Sequence, residues 1–170
     1  MVMARYEFDP DLCRVWIDGS STIHPLNAEA TGLSGWAELD VVRGKVVADS
    51  SFDGEVRIEV SRLTSGNALV DRETQRRIDA RRHPEIVGTV LEGRVDKNQL
   101  VNIEGSISFR GETSRVQGTI TAAVDGTSVT FEGAGRFDVR DWGLKPPRIG
   151  LVRVNPDVDV RIHLVGDRAK

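Results

Sequence analysis

Apolar and polar residues alternate one for one along most of this chain. From Val101 it reads VNIEGSISF, with Val101, Ile103, Ile107 and Phe109 on one parity and Asn102, Glu104, Ser106 and Ser108 on the other. Val116, Ile120, Ala122 and Val124 follow in phase. Val129, Phe131, Phe137 and Val139 then alternate with Thr130, Glu132, Arg136 and Asp138. Val158, Val160, Ile162 and Leu164 alternate with Asp157, Asp159, Arg161 and His163, and upstream Val56, Ile58 and Val60 with Glu55, Arg57 and Glu59. A period of two sends successive side chains to opposite faces of a strand. Each run therefore reads as a strand with one face buried and one in water, the pattern of an antiparallel sheet.

Turn signals at Asp53-Gly54, Arg110-Gly111-Glu112 and Asp125-Gly126 separate the runs. The last reads as a hairpin whose two central residues take positive φ, as a type I′ turn demands. About eight strands result, which is the count of a barrel or a sandwich. No repeat, linker or break in composition divides the 170 residues, so they are read as one domain, 1–170.

Gly105, Gly118, Gly133 and Gly135 share the inward parity, joined by Ala122. An eight-stranded barrel either fills its interior with side chains or keeps room for one small ligand. Small inward residues make room; the same glycines also relieve bends and bulges. Both readings stand on sequence alone.

Residues 67–86, NALVDRETQRRIDARRHPEI, break the alternation with a charged, helix-spaced run. Thr64-Ser65-Gly66 supplies a turn with an N-cap, since Ser, Thr and Asn side chains accept from free amide groups. Glu73 lies four residues before Arg77, the favourable order for a helix pair. Asp71 and Glu73 fall in the expected first turn, and Arg81, Arg82 and His83 in the expected last, in the sense that complements the helix dipole. Leu69, Val70, Ile78 and Ala80 are too few for a deeply packed helix, so it belongs on the surface near a rim.

A net charge of −3 gives no drive toward nucleic acid or an anionic membrane, and 5% aromatic residues make no stacking platform for single strands. No run approaches the 18 or so apolar residues of a membrane span. The N-terminus, MVMARYEFDPDLC, is interrupted by charge early and has no apolar signal core, so with Met1 as the start a cytosolic location is expected. Cys13 is the single cysteine and can form no internal disulfide. His24, His83 and His163 show none of the spacings that mark a metal site. His163 sits on the polar parity of its strand, and His83, before Pro84, is expected to cap the helical stretch. No Gly-x-Ser-x-Gly elbow and no set of acid, base and nucleophile appears. Trp16 falls on the outer parity with Arg14 and Asp18, a hint of a covered surface. Trp142, shortly before Pro146-Pro147, is placed to close one end of the barrel.

Several blocks together resemble the YceI-like domain family across residues 6 to 166. Tyr6-Glu7-Phe8-Asp9-Pro10 followed by Cys13-Arg14-Val15 looks like the family's opening, with Cys13 where Ser is usual. Gly19 through Pro25, GSSTIHP, and Gly32-Leu33-Ser34-Gly35-Trp36 are similar to the next two blocks. Val60-Ser61-Arg62-Leu63-Thr64-Ser65-Gly66-Asn67, then Asp71, then His83-Pro84-Glu85-Ile86 resembles a strand exit, acidic helix start and aromatic-Pro-x-Ile return, with His83 in the aromatic position. The hairpin from Glu104 to Thr113 and the turn Phe137-Asp138-Val139-Arg140-Asp141-Trp142-Gly143 complete the likeness.

The resemblance implies an all-β fold: an antiparallel eight-stranded lipocalin-like β-barrel, with an apolar tunnel, frequent dimerisation and no catalytic machinery. The helical stretch then lies near the barrel rim. The expected function is non-enzymatic binding of an elongated apolar lipid of isoprenoid type, quinone or polyprenyl, in the interior. The alternative is a protein-interaction module with a filled barrel, acting through a homodimer interface. Ligand-binding positions expected from parity are Val101, Ile103, Ile107 and Phe109; Ile120, Val129, Phe131 and Phe137; and Val160 and Ile162. Arg72, Arg76 and Arg77 are candidates for an anionic headgroup, against the plainer reading of a solvated helix face. No catalytic residue, metal, cofactor or nucleic-acid partner is expected.

Overall fold

The computed structural model of the chain describes residues 3–23, 25–146, 148–149 and 151–170. His24 and Pro147 lie outside the described residues, and with them the readings placed on those positions. In chain order the strands are β1 (Met3–Phe8), β2 (Arg14–Ser20), β3 (Pro25–Thr31), β4 (Ser34–Val42), β5 (Lys45–Val46), β6 (Ser51–Glu59), β7 (Glu85–Val95), β8 (Val101–Phe109), β9 (Glu112–Asp125), β10 (Ser128–Asp138), β11 (Arg148–Ile149), β12 (Val152–Arg153) and β13 (Asp157–Arg168). One α-helix among the described residues, α1 (Ala68–Ile78), joins β6 to β7, and short 3₁₀ turns cover Val60–Arg62 and Val139–Trp142.

Eight strands close a ring in the order β1-β4-β6-β7-β8-β9-β10-β13, with β13 returning to β1. Neighbours in the ring pair antiparallel. Of the two architectures the alternation allows, barrel or sandwich, this is the barrel that the family resemblance implies, with β2, β3, β5, β11 and β12 as additions. The seam is forked. The last residues of β13 pair with β1, Tyr6 opposite Arg168, while Asp159 through His163 pair with β2, which in turn pairs with β3. β3 reaches the far side through an isolated bridge from Glu29 to Thr64.

Alternation becomes burial most clearly in β1, where Ala4, Tyr6 and Phe8 are buried and Met3, Arg5 and Glu7 are exposed. One end of the barrel is filled. Tyr6, Leu39, Phe52, Val95, Val101, Val129 and Phe131 form part of its core. Phe8 and Phe52 meet Phe131 edge-on at 6.1 and 5.7 Å between ring centroids. Edge-to-face pairs of this kind add about 0.5–1.5 kcal/mol to the burial of the rings themselves.

Two turn assignments change. Asp53-Gly54 is no reversal: both residues lie inside β6, where the register to β7 shifts between Phe52 and Glu55. A Cβ on Gly54 would sit 2.9 Å from the Trp36 carbonyl oxygen, so the glycine admits a close strand approach at a bulge. In the β9–β10 hairpin Asp125 pairs with Ser128, which makes Gly126 and Thr127 the central residues. Gly126 has φ 61 and Thr127 has no positive φ, the pattern of type II′ rather than I′. Two-positive-φ turns occur instead between β8 and β9, with Arg110 at φ 57 and Gly111 at φ 77, and between β4 and β5, with Arg43 at φ 53 and Gly44 at φ 74.

Helix α1 starts at an Asn67 cap, whose Oδ1 accepts from Leu69 N at 3.0 Å and Val70 N at 3.3 Å. It ends at Ile78, because Asp79 turns left-handed at φ 58 and its N–H closes onto the Gln75 and Arg76 carbonyls. Arg81, Arg82 and His83 therefore lie beyond the helix, and its last-turn cations are Arg76 and Arg77. His83 is no helix cap. Its ring lies under Gly111, where an added Cβ would come within 2.7 Å of His83 Cε1.

Candidate functional site

The other half of the barrel is open. A cavity of about 760 Å³ occupies it, bounded at its mouth by Leu26 of β3, by α1, and by Leu144 and Pro146. The wall is overwhelmingly apolar. Ile103, Ile107 and Phe109 of β8 and Ile120 of β9 line it; so do Phe131 and Phe137 of β10 and Val160 and Ile162 of β13. Val101 and Val129 do not. Both are wholly buried in the filled end, with 0% exposure. Parity puts a residue inside a barrel, while its height along the axis decides between packed core and open cavity.

The inward glycines divide by cause. A Cβ on Gly118 would meet nothing within 4 Å, so this position is open space. On Gly105 it would fall 2.8 Å from the Thr89 carbonyl oxygen of the neighbouring strand, which makes Gly105 a close-approach residue. Gly133 leaves room for Ile120, whose Cγ2 would be 2.6 Å away, and Gly135 for the Phe137 ring at 3.2 Å. Room is thus made at Gly118, and at Gly133 and Gly135 it is taken by neighbouring wall side chains.

Sequence reasoning missed part of the wall. Asn67 at the cap and Val70, Asp71, Thr74 and Ile78 of α1 present one face to the mouth. Their spacing is that of a helix stripe, but three of the five are polar, which hides it from a search for apolar periodicity. The Asp71 carboxylate accepts from Ser65 N at 2.8 Å, Ser65 Oγ at 2.7 Å and Thr64 Oγ1 at 3.1 Å. Burial pushes this carboxyl up, but the hydrogen bonds from Ser65 and Thr64 outweigh it and hold the group below its ordinary value. Trp142 is also in the wall. Its Nε1 donates to the Ile107 carbonyl at 2.8 Å and its ring meets Phe137 edge-on at 6.2 Å, so a buried tryptophan braces this end.

The three arginines expected at a headgroup separate. None lines the apolar cavity. Arg72 is exposed and makes no ion pair among the described residues. Arg76 and Arg77 both bind Glu73, at 2.8 and 3.0 Å, and border a second hollow beside the mouth. The remaining polar candidates stay clear of the cavity. His163 Nδ1 meets Glu132 at 3.0 Å on the outer wall. Trp16 lies under the guanidiniums of Arg161 and Arg14, at 4.9 and 5.9 Å. Cys13 is buried, and its Sγ accepts from Val165 N at 3.3 Å. Burial raises its thiol pKa, which keeps it protonated. Among the described residues no three His, Cys, Asp or Glu side chains gather to hold a metal ion. No helix there is long and apolar enough to cross a membrane.

Comparison with known proteins agrees with this geometry. The family model described as the YceI-like domain matches residues 6–166. No curated protein matches the sequence. Among solved structures, BcnA of Burkholderia cenocepacia is similar at a TM-score of 0.76 and 16% identity, over 90% of this chain and 95% of that one. A domain of Saccharophagus degradans described as polyisoprenoid binding and implicated in plant cell wall breakdown gives 0.75 and 12%, over 96% and 98%. The Campylobacter jejuni YCEI protein gives 0.67 and 15%, over 85% of each chain. At such identities these likenesses speak for the fold.

Proposed function

The chain belongs to the YceI-like domain family, and from that premise we propose that it is a non-enzymatic binding protein for an elongated apolar lipid of isoprenoid type. The observation that carries this reading is the cavity of about 760 Å³ walled by aliphatic and aromatic side chains. That volume lies within the roughly 300–1,000 Å³ of small-molecule sites. Affinity comes from apolar burial at roughly 25 cal/mol per Å². The mouth lets one end of the ligand reach solvent beside α1. The polyisoprenoid-binding description of the Saccharophagus degradans domain supports the ligand class. A barrel filled by its own side chains, as an interaction module acting through a homodimer would have, does not fit so large a void.

Native mass spectrometry of freshly purified protein, followed by lipid extraction, tests the proposal. Retained isoprenoid, or saturable binding of an added isoprenoid quinone or alcohol, is the expected result. Protein that carries no lipid and binds neither probe would sink it.

A further inference from the structure

Beside the apolar mouth lies a hollow of about 340 Å³ bordered by Arg76, Arg77, Arg110, Gly143, Leu144 and Lys145. Leu144 also lines the large cavity, so the two spaces share a wall. We propose that this hollow binds a phosphate group, carried either as the head of a lipid held in the cavity or as free phosphate. The lipid arm rests on the proposed function above; the free-phosphate arm does not.

Four cations border the hollow, and none of its lining residues is a carboxylate. Glu73 takes Arg76 through Nε and Nη2 and Arg77 through Nε. Glu112 lies beside Gly143. Set against Glu73 and Glu112 these cations still leave positive charge, which suits a phosphate monoester, at about −1.5 to −2 near neutral pH, better than a singly charged carboxylate. Arg76 Nη1 and both terminal nitrogens of Arg77 are left over from the Glu73 pairs. Lys145 makes no ion pair among the described residues. Guanidinium forks suit phosphate oxygens, and an ammonium adds a point charge.

Arg110 sets the geometry. Its Nε donates to the Arg77 carbonyl at 3.1 Å and its Nη1 to the Trp142 carbonyl at 3.0 Å. It thereby caps the negative ends of α1 and of the Val139–Trp142 turn, which would otherwise repel an anion. Nη2 is left over, and the guanidinium is fixed by its two anchors. The left-handed backbone of Arg110, φ 57, comes from the tight β8–β9 turn that places it there. Arg72, the third arginine expected on sequence grounds, has no part in the hollow.

The test compares farnesol, farnesyl monophosphate and inorganic phosphate on the full chain and on an Arg77→Gln/Lys145→Gln variant. The Arg77 carbonyl survives this change, so Arg110 keeps its anchor. Farnesyl monophosphate is expected to bind at least about tenfold tighter than farnesol, as for a charge-assisted contact. The variant should erase that advantage and leave farnesol affinity unchanged. Titration of inorganic phosphate, followed by NMR shifts of the Gly143 and Leu144 amides, which both proteins keep, reads the free-phosphate source; variant-sensitive binding there supports the hollow even if farnesol does not bind and the cavity reading fails. Farnesol binding with no gain from its phosphate, together with no binding of inorganic phosphate, overturns the hollow and leaves the cavity reading intact.

Discussion

Replacing Gly118 with Phe should block the cavity without harming the barrel. Gly118 sits in β9 on the inward parity, opposite Ile103 of β8, and a Cβ there meets no atom within 4 Å. Its φ is not in the left-handed region, so a side chain brings no backbone strain. A strand glycine replaced by an aromatic gains up to ~1 kcal/mol in strand preference. A phenyl ring lying against apolar wall adds part of the about 1.5–3 kcal/mol of full burial. The empty protein should therefore be as stable as wild type or more so. Binding should suffer, because the ring takes the place of about one five-carbon isoprene unit. At roughly 0.8 kcal/mol per buried CH₂ that unit contributes about 4 kcal/mol. Even half of this, about 2 kcal/mol, weakens binding some 30-fold. Urea unfolding reads the first effect and titration with an isoprenoid quinone the second. Gly105→Ala is the counterpart: its methyl would press on the Thr89 carbonyl, costing about 1–3 kcal/mol of stability while blocking little of the cavity. A Gly118→Phe protein that stays folded and binds as wild type does would refute the placement of the ligand. One that melts well below wild type would refute the open space at Gly118.

Phe131→Ala removes the ring on which Phe8 and Phe52 pack, and should cost about 3–5 kcal/mol in chemical denaturation. Asn67→Ala deletes the cap of α1 and should cost about 0.5–2 kcal/mol, with faster hydrogen exchange at Leu69 and Val70. Asp71 titrates in the folded protein below its ordinary value, so its contribution is present above the unfolded carboxyl pKa and is lost as pH falls through the folded one. Wild type and Asp71→Asn should thus differ in thermal stability at neutral pH, and the difference should shrink below about pH 4. A gap that stays constant into acid would show that the Ser65 and Thr64 bonds to the carboxylate do not matter.

The strands are legible in the sequence because burial on one face leaves a period of two, and β8 through β10 carry it almost unbroken. What alternation does not encode is height along the axis. Val101 and Ile103 share a parity and a strand, yet one is sealed in the filled end and the other faces the void. The Asp53-Gly54 pair misleads because the residues that allow a reversal also allow a bulge; only the pairing of β6 with β7 distinguishes them. The mouth is the least legible part. Asp71 is bound by residues six and seven positions before it, and Arg110 bridges two elements far from it in sequence. Contacts of that kind leave no periodic trace.

The forked seam has a consequence for how the protein is made. β13 follows every other strand of the ring, and it alone joins β10 to β1 and to β2. At about 5–20 residues per second on the ribosome, the emerging chain holds an incomplete curved sheet until residues 157–168 appear. During that interval the apolar wall is exposed and the free edges of β10 and β1 are open to pairing with other chains. Closure of the cavity is then a late event, and these two edges are a hazard of aggregation for the nascent chain that pairing with β13 removes.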